Sequence, residues 1–253
     1  MRSITVKIGM MAVLAMLSRY SVGQAVPQQR DMSSMSASQL EKAGDEARSQ
    51  KDFPEAIRCF EAASKKDPKN SMLYNKLGLA ELKNNDLKDA RFYFEKAAKR
   101  DSKNADAVNN IGAVYYMQRN YNGAAKYFKK AVALDETRPT FHVNLGAAWF
   151  SQKKTERAVM EYARALELDP MALQNSGKVG VTAQIASPEE RAQFSYMMAK
   201  IYAKRGDMDD CLQCLRKAKE DGYRNMANVY KDEEFARMRD NPKLQEVVPP
   251  PAK

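Results

Sequence analysis

The chain predicts an all-α fold, a solenoid of stacked antiparallel helical hairpins, and three observations carry that prediction. The first is a period of 34 residues in an alanine–aromatic–alanine triplet: Ala56–Phe60–Ala63, Ala90–Phe94–Ala97, Ala124–Phe128–Ala131 and Ala158–Tyr162–Ala165. The second is glycine at one register of every unit, Gly44, Gly78, Gly112 and Gly146. The third is composition: 11 Gly and 10 Pro among 253 residues, with Ala, Lys, Met and Glu plentiful and no long β-branched alternation. A fixed period of this length marks small units that contact only their neighbours, not one globular core.

The first residues read as an export signal. Arg2 and Lys7 make a basic start, Ile8 to Leu17 is an apolar run of ten, and Gly23-Gln24-Ala25 offers small residues at both positions a signal peptidase reads. Ten apolar residues are half of the roughly 20 needed to span a bilayer. Cleavage after Ala25 is therefore expected, with retention as an interfacial anchor the alternative. The mature chain would have no transmembrane span. The formal charge of +10, with pI about 9.4, falls to +7 once Arg2, Lys7 and Arg19 are removed. Lys and Arg alternate with Glu and Asp along the sequence, the pattern of a solvated helical surface and not of a nucleic-acid face.

Residues 26–36 are polar and aperiodic and read as a flexible leader. Four units follow in register, 37–70, 71–104, 105–138 and 139–172. In the first helix of each, large residues recur at positions four, seven and 11, as in Val108, Ile111 and Tyr115, and so share one face. Glycine at position eight costs about 1 kcal/mol in helix propensity. Four copies at one register require a steric reason, a neighbour so close that a methyl group would interfere. The triplet at positions 20, 24 and 27 forms one face of the second helix, and its small–large–small profile docks on that notch. Short polar turns join the two helices, which makes them antiparallel. Asp67-Pro68 and Asp169-Pro170 close the first and fourth units.

Residues 173–191 interrupt the register, loop-like until Ser187-Pro-Glu-Glu190 supplies a cap, a first-turn proline and two acids for a new helix. A degenerate fifth unit spans 192–225, with Ala199 in place of the glycine and Cys211, Leu215 and Ala218 in place of the triplet. Residues 226–246 are expected to form one or two capping helices through Val229, Tyr230, Phe235, Met238 and Leu244, and 247–253 a disordered tail.

Position by position the units resemble the tetratricopeptide repeat. Leu77-Gly78, Ile111-Gly112 and Leu145-Gly146 match its Leu-Gly pair, the triplets match its second helix, and the register holds through 136 residues. Leu40, Ala43 and Glu81 depart from it, as do the missing prolines of units two and three. The resemblance implies a right-handed superhelix whose first helices line a concave groove, a bacterial exported member of the family, and a non-enzymatic scaffold that binds an extended peptide or partner protein. Mapped onto this chain, the groove positions are Asn75, Asn109, Asn110 and Asn144, with Tyr116, Phe150 and Tyr196 near them and Lys83, Lys200 and Lys204 toward the edges. An asparagine amide offers donor and acceptor to a peptide backbone. The alternative for these residues is bonding between repeats, favoured for Asn75 and evenly weighed for Asn110 and Asn144. A carboxylate clamp of the kind some relatives use is not expected, because Glu41 and Asp45 occupy its positions.

Catalytic chemistry is not expected. One histidine, His142, sits at a packing position and removes most metal and acid–base schemes. Neither a phosphate loop nor a cofactor motif is present, and no metal or cofactor is expected. Cys211 and Cys214 are the redox candidates, but their spacing on a helix puts Cβ atoms about 5–6 Å apart, against roughly 3.8 Å for a disulfide. The expected function is a scaffold in the cell envelope, periplasmic or secreted. The alternatives are a basic envelope protein that holds anionic glycan or lipid, and, below it, a thiol-redox accessory.

Overall fold

The computed structural model describes residues 31–173 and 187–251. The expected signal peptide and its cleavage after Ala25, residues 26–30 of the leader, residues 174–186 of the insertion and the last two residues lie outside them. In the described part of the N-terminal segment that ends at Met35, Asp31 Oδ1 accepts from the Ser33 backbone N and hydroxyl, at 2.9 and 2.7 Å.

From Ser36 onward the described residues are helical, and no strand occurs among them. Four hairpins follow one another: α1 (Ala37–Ser49) with α2 (Phe53–Lys66), α3 (Ser71–Lys83) with α4 (Leu87–Arg100), α5 (Ala105–Met117) with α6 (Tyr121–Leu134), and α7 (Pro139–Ser151) with α8 (Thr155–Leu168). The fifth is α9 (Pro188–Arg205) with α10 (Met208–Glu220). Side chains of Ser36, Asp52, Asn70, Asp86, Asn104, Asn120 and Ser187 cap the helices they precede, and Arg138, Lys154 and Asp207 stand at that position without a side-chain bond. Each satisfied cap contributes about 1 kcal/mol.

The repeating contact is a ring in a glycine notch. A Cβ added to Gly44, Gly78 or Gly112 would stand 2.5, 2.6 and 2.6 Å from the ring of Phe60, Phe94 or Phe128. All three phenylalanines, and the alanines on either side of them, are fully buried. At Gly146 the nearest atom is 3.1 Å away on Tyr162, a looser fit. In the fifth hairpin Ala199 replaces the glycine and the shorter Leu215 the ring, so the sum of sizes is preserved, and Cys211 is a fully buried substitute for alanine.

Every turn inside a hairpin is built alike. Lys51, Asn85, Arg119 and Lys153 adopt φ of 63°, 67°, 59° and 61°, and the fifth turn has Gly206 at 86°. The residue after each donates back five positions, as Asn120 N does to Tyr115 O at 2.9 Å, which closes the preceding helix.

The capping segment is not mainly α-helical. It forms two short 3-10 helices, Met226–Tyr230 and Glu233–Met238, before α11 (Pro242–Val247). Val229, Phe235, Met238 and Leu244 are buried at the end of the core, and Tyr230 is half-buried. The tail expected from 247 begins later. Val247 and Val248 are buried, and their carbonyls accept from Lys219 Nζ at 2.9 Å and Tyr230 Oη at 2.6 Å.

Candidate functional site

The asparagines of the first helices bond mainly to each other. Asn110 Nδ2 donates to Asn75 Oδ1 at 3.0 Å, and Asn144 Nδ2 to Asn109 Oδ1 at 2.9 Å. Asn75, Asn109 and Asn144 are buried, the last completely, so the structure gives Asn144 no surface to offer a ligand. Asn110 alone of the four is half-exposed. Tyr116, expected on the groove, is instead buried between repeats: its hydroxyl bonds Ser151 Oγ at 3.0 Å and its ring packs on Tyr121 at 5.3 Å. Its neighbour Tyr115, expected inside, is the more exposed of the pair and stacks on Tyr127. Lys83 is exposed at the end of α3, away from the other candidates' contacts.

Sequence reasoning missed Lys76, whose Nζ lies 2.6 Å from both Glu41 and Asp45 of the previous repeat. Burial works against its charge, but the bonds to Asp45 and Glu41 outweigh this and hold its pKa above the usual lysine value. The two acids at the clamp positions are thus already occupied.

The remaining four candidates come together. Phe150, Tyr196, Lys200 and Lys204 line one cleft of about 1180 Å³ between α8 and α9. Phe150, Tyr196, Met197 and Ile201 are its buried apolar residues, and Val159 and Ala163 continue this surface along α8. Met160 stands on the rim, 71% exposed. Charges ring the opening: Glu156, Arg164 and Glu167 on α8, Lys204 and Arg205 on α9, and Asp232 and Glu234 beyond the fifth hairpin.

The cleft lies where the fifth hairpin packs less closely on the fourth than earlier hairpins do on each other, although the two share one buried core. Nineteen residues separate Leu168 from Pro188, where four separate every earlier pair of hairpins. The α8–α9 junction is sparse beside the others and includes Phe194, whose ring meets Phe150 and Tyr162 edge-on at 5.4 and 5.6 Å. One wall is preorganised by a small network. Tyr196 Oη donates to Asp232 Oδ2 at 3.0 Å, its ring stacks on Tyr223 at 4.2 Å, and Lys200 Nζ lies 3.3 Å from both Asp232 and Glu234. Burial and the carboxylate of Asp232 push the Tyr196 phenol far up, so it donates at any ordinary pH.

Other reactive groups are held as structure. His142 is buried, with Nδ1 2.7 Å from Glu161 Oε2 and Nε2 3.0 Å from the Glu136 carbonyl. The bond to Glu161 raises its pKa despite burial. Cys211 and Cys214 are free thiols, and Cys59 Sγ lies 3.7 Å from Glu55 Oε1. Burial pushes Cys211 up to about 12 and Cys214 up to about 11, which leaves little thiolate for exchange. Among the described residues no group of three His, Cys, Asp or Glu is placed to hold a metal, and no helix is long and apolar enough to cross a membrane.

Comparison with known proteins agrees with this architecture. Two profiles, each described as tetratricopeptide repeat, match the chain: one at residues 41–105, 76–139 and 115–172, the other at 192–220. Among solved structures, PilF of Pseudomonas aeruginosa is similar at TM-score 0.54 and 20% identity, covering 83% of this chain and 95% of its own. MamA is similar at 0.53 and 21%, covering 78% and 95%. YrrB, described as a tetratricopeptide-repeat protein with an unusual peptide-binding site, is similar at 0.50 and 19%, covering 77% and 91%. No curated protein matches by sequence. With the first profile alone spanning more than half of its residues in unbroken register, the chain belongs to the tetratricopeptide repeat family.

Proposed function

We propose that the protein is a non-enzymatic scaffold of the cell envelope that binds a segment of a partner protein in the cleft between α8 and α9. The cleft carries the reading. At about 1180 Å³ it exceeds the roughly 300–1,000 Å³ of most small-molecule pockets. It is an open trough with an apolar base and charged rims, the form that accepts a peptide by side-chain burial and end-on polar contacts. Met160 and Met197 add unbranched side chains that adapt to varied shapes. The Asn75–Asn110 and Asn109–Asn144 pairs tie the second, third and fourth hairpins together beside it. Export is supported by the basic start and the ten-residue apolar run, and N-terminal sequencing that finds Val26 first in a periplasmic or secreted form would bear on it directly.

Selection of displayed random peptides against the full chain tests the binding site. Enriched peptides should lose at least tenfold in affinity on Met160→Glu or Lys204→Glu, both exposed changes that leave the melting curve intact. Enriched peptides indifferent to both variants would remove the cleft from consideration.

A further inference from the structure

The basic residues that disperse along the sequence gather on the second helices of the second and third hairpins. α4 carries five basic and two acidic residues, and α6 carries three basic and none acidic. By contrast α2 has three against two and α8 two against three. Phe92, Lys96 and Lys99 fall on one face of α4, and Lys126 and Lys130 on one face of α6. Phe92 and Lys126 hold the same repeat position, as do Lys96 and Lys130, so the two helices present one continuous row. Lys99, Arg100, Lys126, Lys129 and Lys130 are exposed. None of the five has a carboxylate within ion-pair distance among the described residues.

In this field stands Phe92, 55% exposed, touching Tyr93 edge-on and with Lys96 Nζ 5.9 Å from its ring. Uncompensated charge alone suits any polyanion. A bare aromatic among lysines narrows the choice. A ring on a cationic face gains by entering the headgroup layer of a bilayer, while lysine stems reach the phosphates. A nucleic-acid strand would want a series of stacking rings, but the positions equivalent to Phe92 are Arg58, Lys126 and Met160. We infer that the outer face of α4 and α6 docks on an anionic lipid surface, with Phe92 as its apolar anchor.

Sedimentation of the full chain with phosphatidylcholine vesicles, with and without phosphatidylglycerol, tests this. The phosphatidylcholine arm measures what the N-terminal apolar run contributes. Binding should require phosphatidylglycerol and weaken with salt. Lys99→Glu/Lys126→Glu/Lys130→Glu should reduce it at least about a hundredfold, since the loss of three lysines at about one kcal/mol each already gives that factor before the added acids repel the surface. Phe92→Ala should reduce vesicle binding severalfold and leave binding to soluble polyphosphate unchanged. The cleft variant Lys204→Glu should bind vesicles as the wild type does, so this proposal and the peptide reading fail separately. Equal sedimentation with both vesicles, or a Phe92→Ala chain that binds phosphatidylglycerol vesicles fully, would overturn it. So would a Phe92→Ala loss on polyphosphate as large as that on vesicles, which would make the face a polymer site. All four altered side chains are solvent-facing, and an unchanged melting curve verifies the fold.

Discussion

The side-chain amide of Asn144 donates to Oδ1 of Asn109 at 2.9 Å, in a place where Asn144 has no exposed surface. The bond therefore ties α7 to α5, and its loss should register as stability. Asn144→Ala leaves Asn109 Oδ1 without its partner in a buried site, at a cost of about 1–3 kcal/mol in urea unfolding. Asn110→Ala, at a half-exposed site where water can replace the lost donor, should cost less. Peptides selected on the wild type should keep their affinity for both. A stable Asn144→Ala chain that has lost them would return this row to the binding surface.

Four of the interrepeat bonds share a spacing that the sequence displays but the 34-residue period hides. Lys76–Glu41, Asn110–Asn75, Asn144–Asn109 and Tyr116–Ser151 are each 35 apart, one position beyond the repeat. Equivalent positions build each hairpin, and positions offset by one meet across adjacent first helices. Polar residues at that offset were the readable signal for the ladder, and for the burial of Tyr116. The hairpins were legible because glycine and ring recur at a fixed register. The cleft was not, because it depends on how closely α9 packs on α8, and no repeating position encodes that. Its residues could be named from the groove positions of the fifth unit, but Asp232 and Glu234 come from a segment outside any repeat.

The notch glycines should rank by the space in front of them. Alanine at Gly112 gains about 1 kcal/mol in helix propensity, but its methyl meets a fully buried ring at 2.6 Å. Overpacking of this kind costs about 1–3 kcal/mol, so Gly112→Ala should be net destabilising. Gly146→Ala, with 3.1 Å to Tyr162, should be close to neutral. Thermal unfolding of the two variants checks the order, and the reverse order would mean the rings yield more easily than their burial indicates.

Stability should fall as pH rises, in two separable windows. Glu81 is buried in α3, and burial first, then the charges of Asp89, Asp86 and Glu61, raise its pKa from 4.5 to about 7. The folded chain keeps this proton after the unfolded chain has lost it, so stability declines from about pH 4.5 to 7. His142 faces the Glu136 carbonyl and the Glu161 carboxylate, both acceptors, so the protonated ring can donate from each nitrogen and its cationic form is favoured. Arg164 opposes that charge without reversing the shift. With the folded pKa above the unfolded 6.5, this stabilisation is full below pH 6.5 and is lost as pH rises through the folded value. Glu81→Gln should flatten the lower window and His142→Gln the upper, read as urea midpoints between pH 4 and 9. Unaltered profiles in both variants would show that neither group titrates as its surroundings dictate.

Arg119 holds φ of 59° in the turn between α5 and α6, a conformation in which an L side chain crowds its own carbonyl. The equivalent turn of the fifth hairpin has Gly206 at 86°, with nothing within 4 Å of where its Cβ would lie. The strain at Arg119 is therefore conformational and not a matter of contact. Relief of about 1–2 kcal/mol is offset by the extra freedom glycine gives the unfolded chain, about 0.5–1 kcal/mol. Arg119→Gly should raise stability by about 0.5–1 kcal/mol on that balance. Asn85→Gly should gain less, since asparagine already tolerates this region. Gly206→Ala should lose stability by the same reasoning run backwards. Lys153 is a poor choice for the test because its Nζ bonds Glu190 at 2.8 Å and a glycine would remove that link too. Urea midpoints that order the variants as Arg119→Gly above Asn85→Gly above wild type above Gly206→Ala would tie the turn strain to backbone conformation alone. A destabilised Arg119→Gly would instead mean that the arginine side chain makes a stabilising contact at the turn.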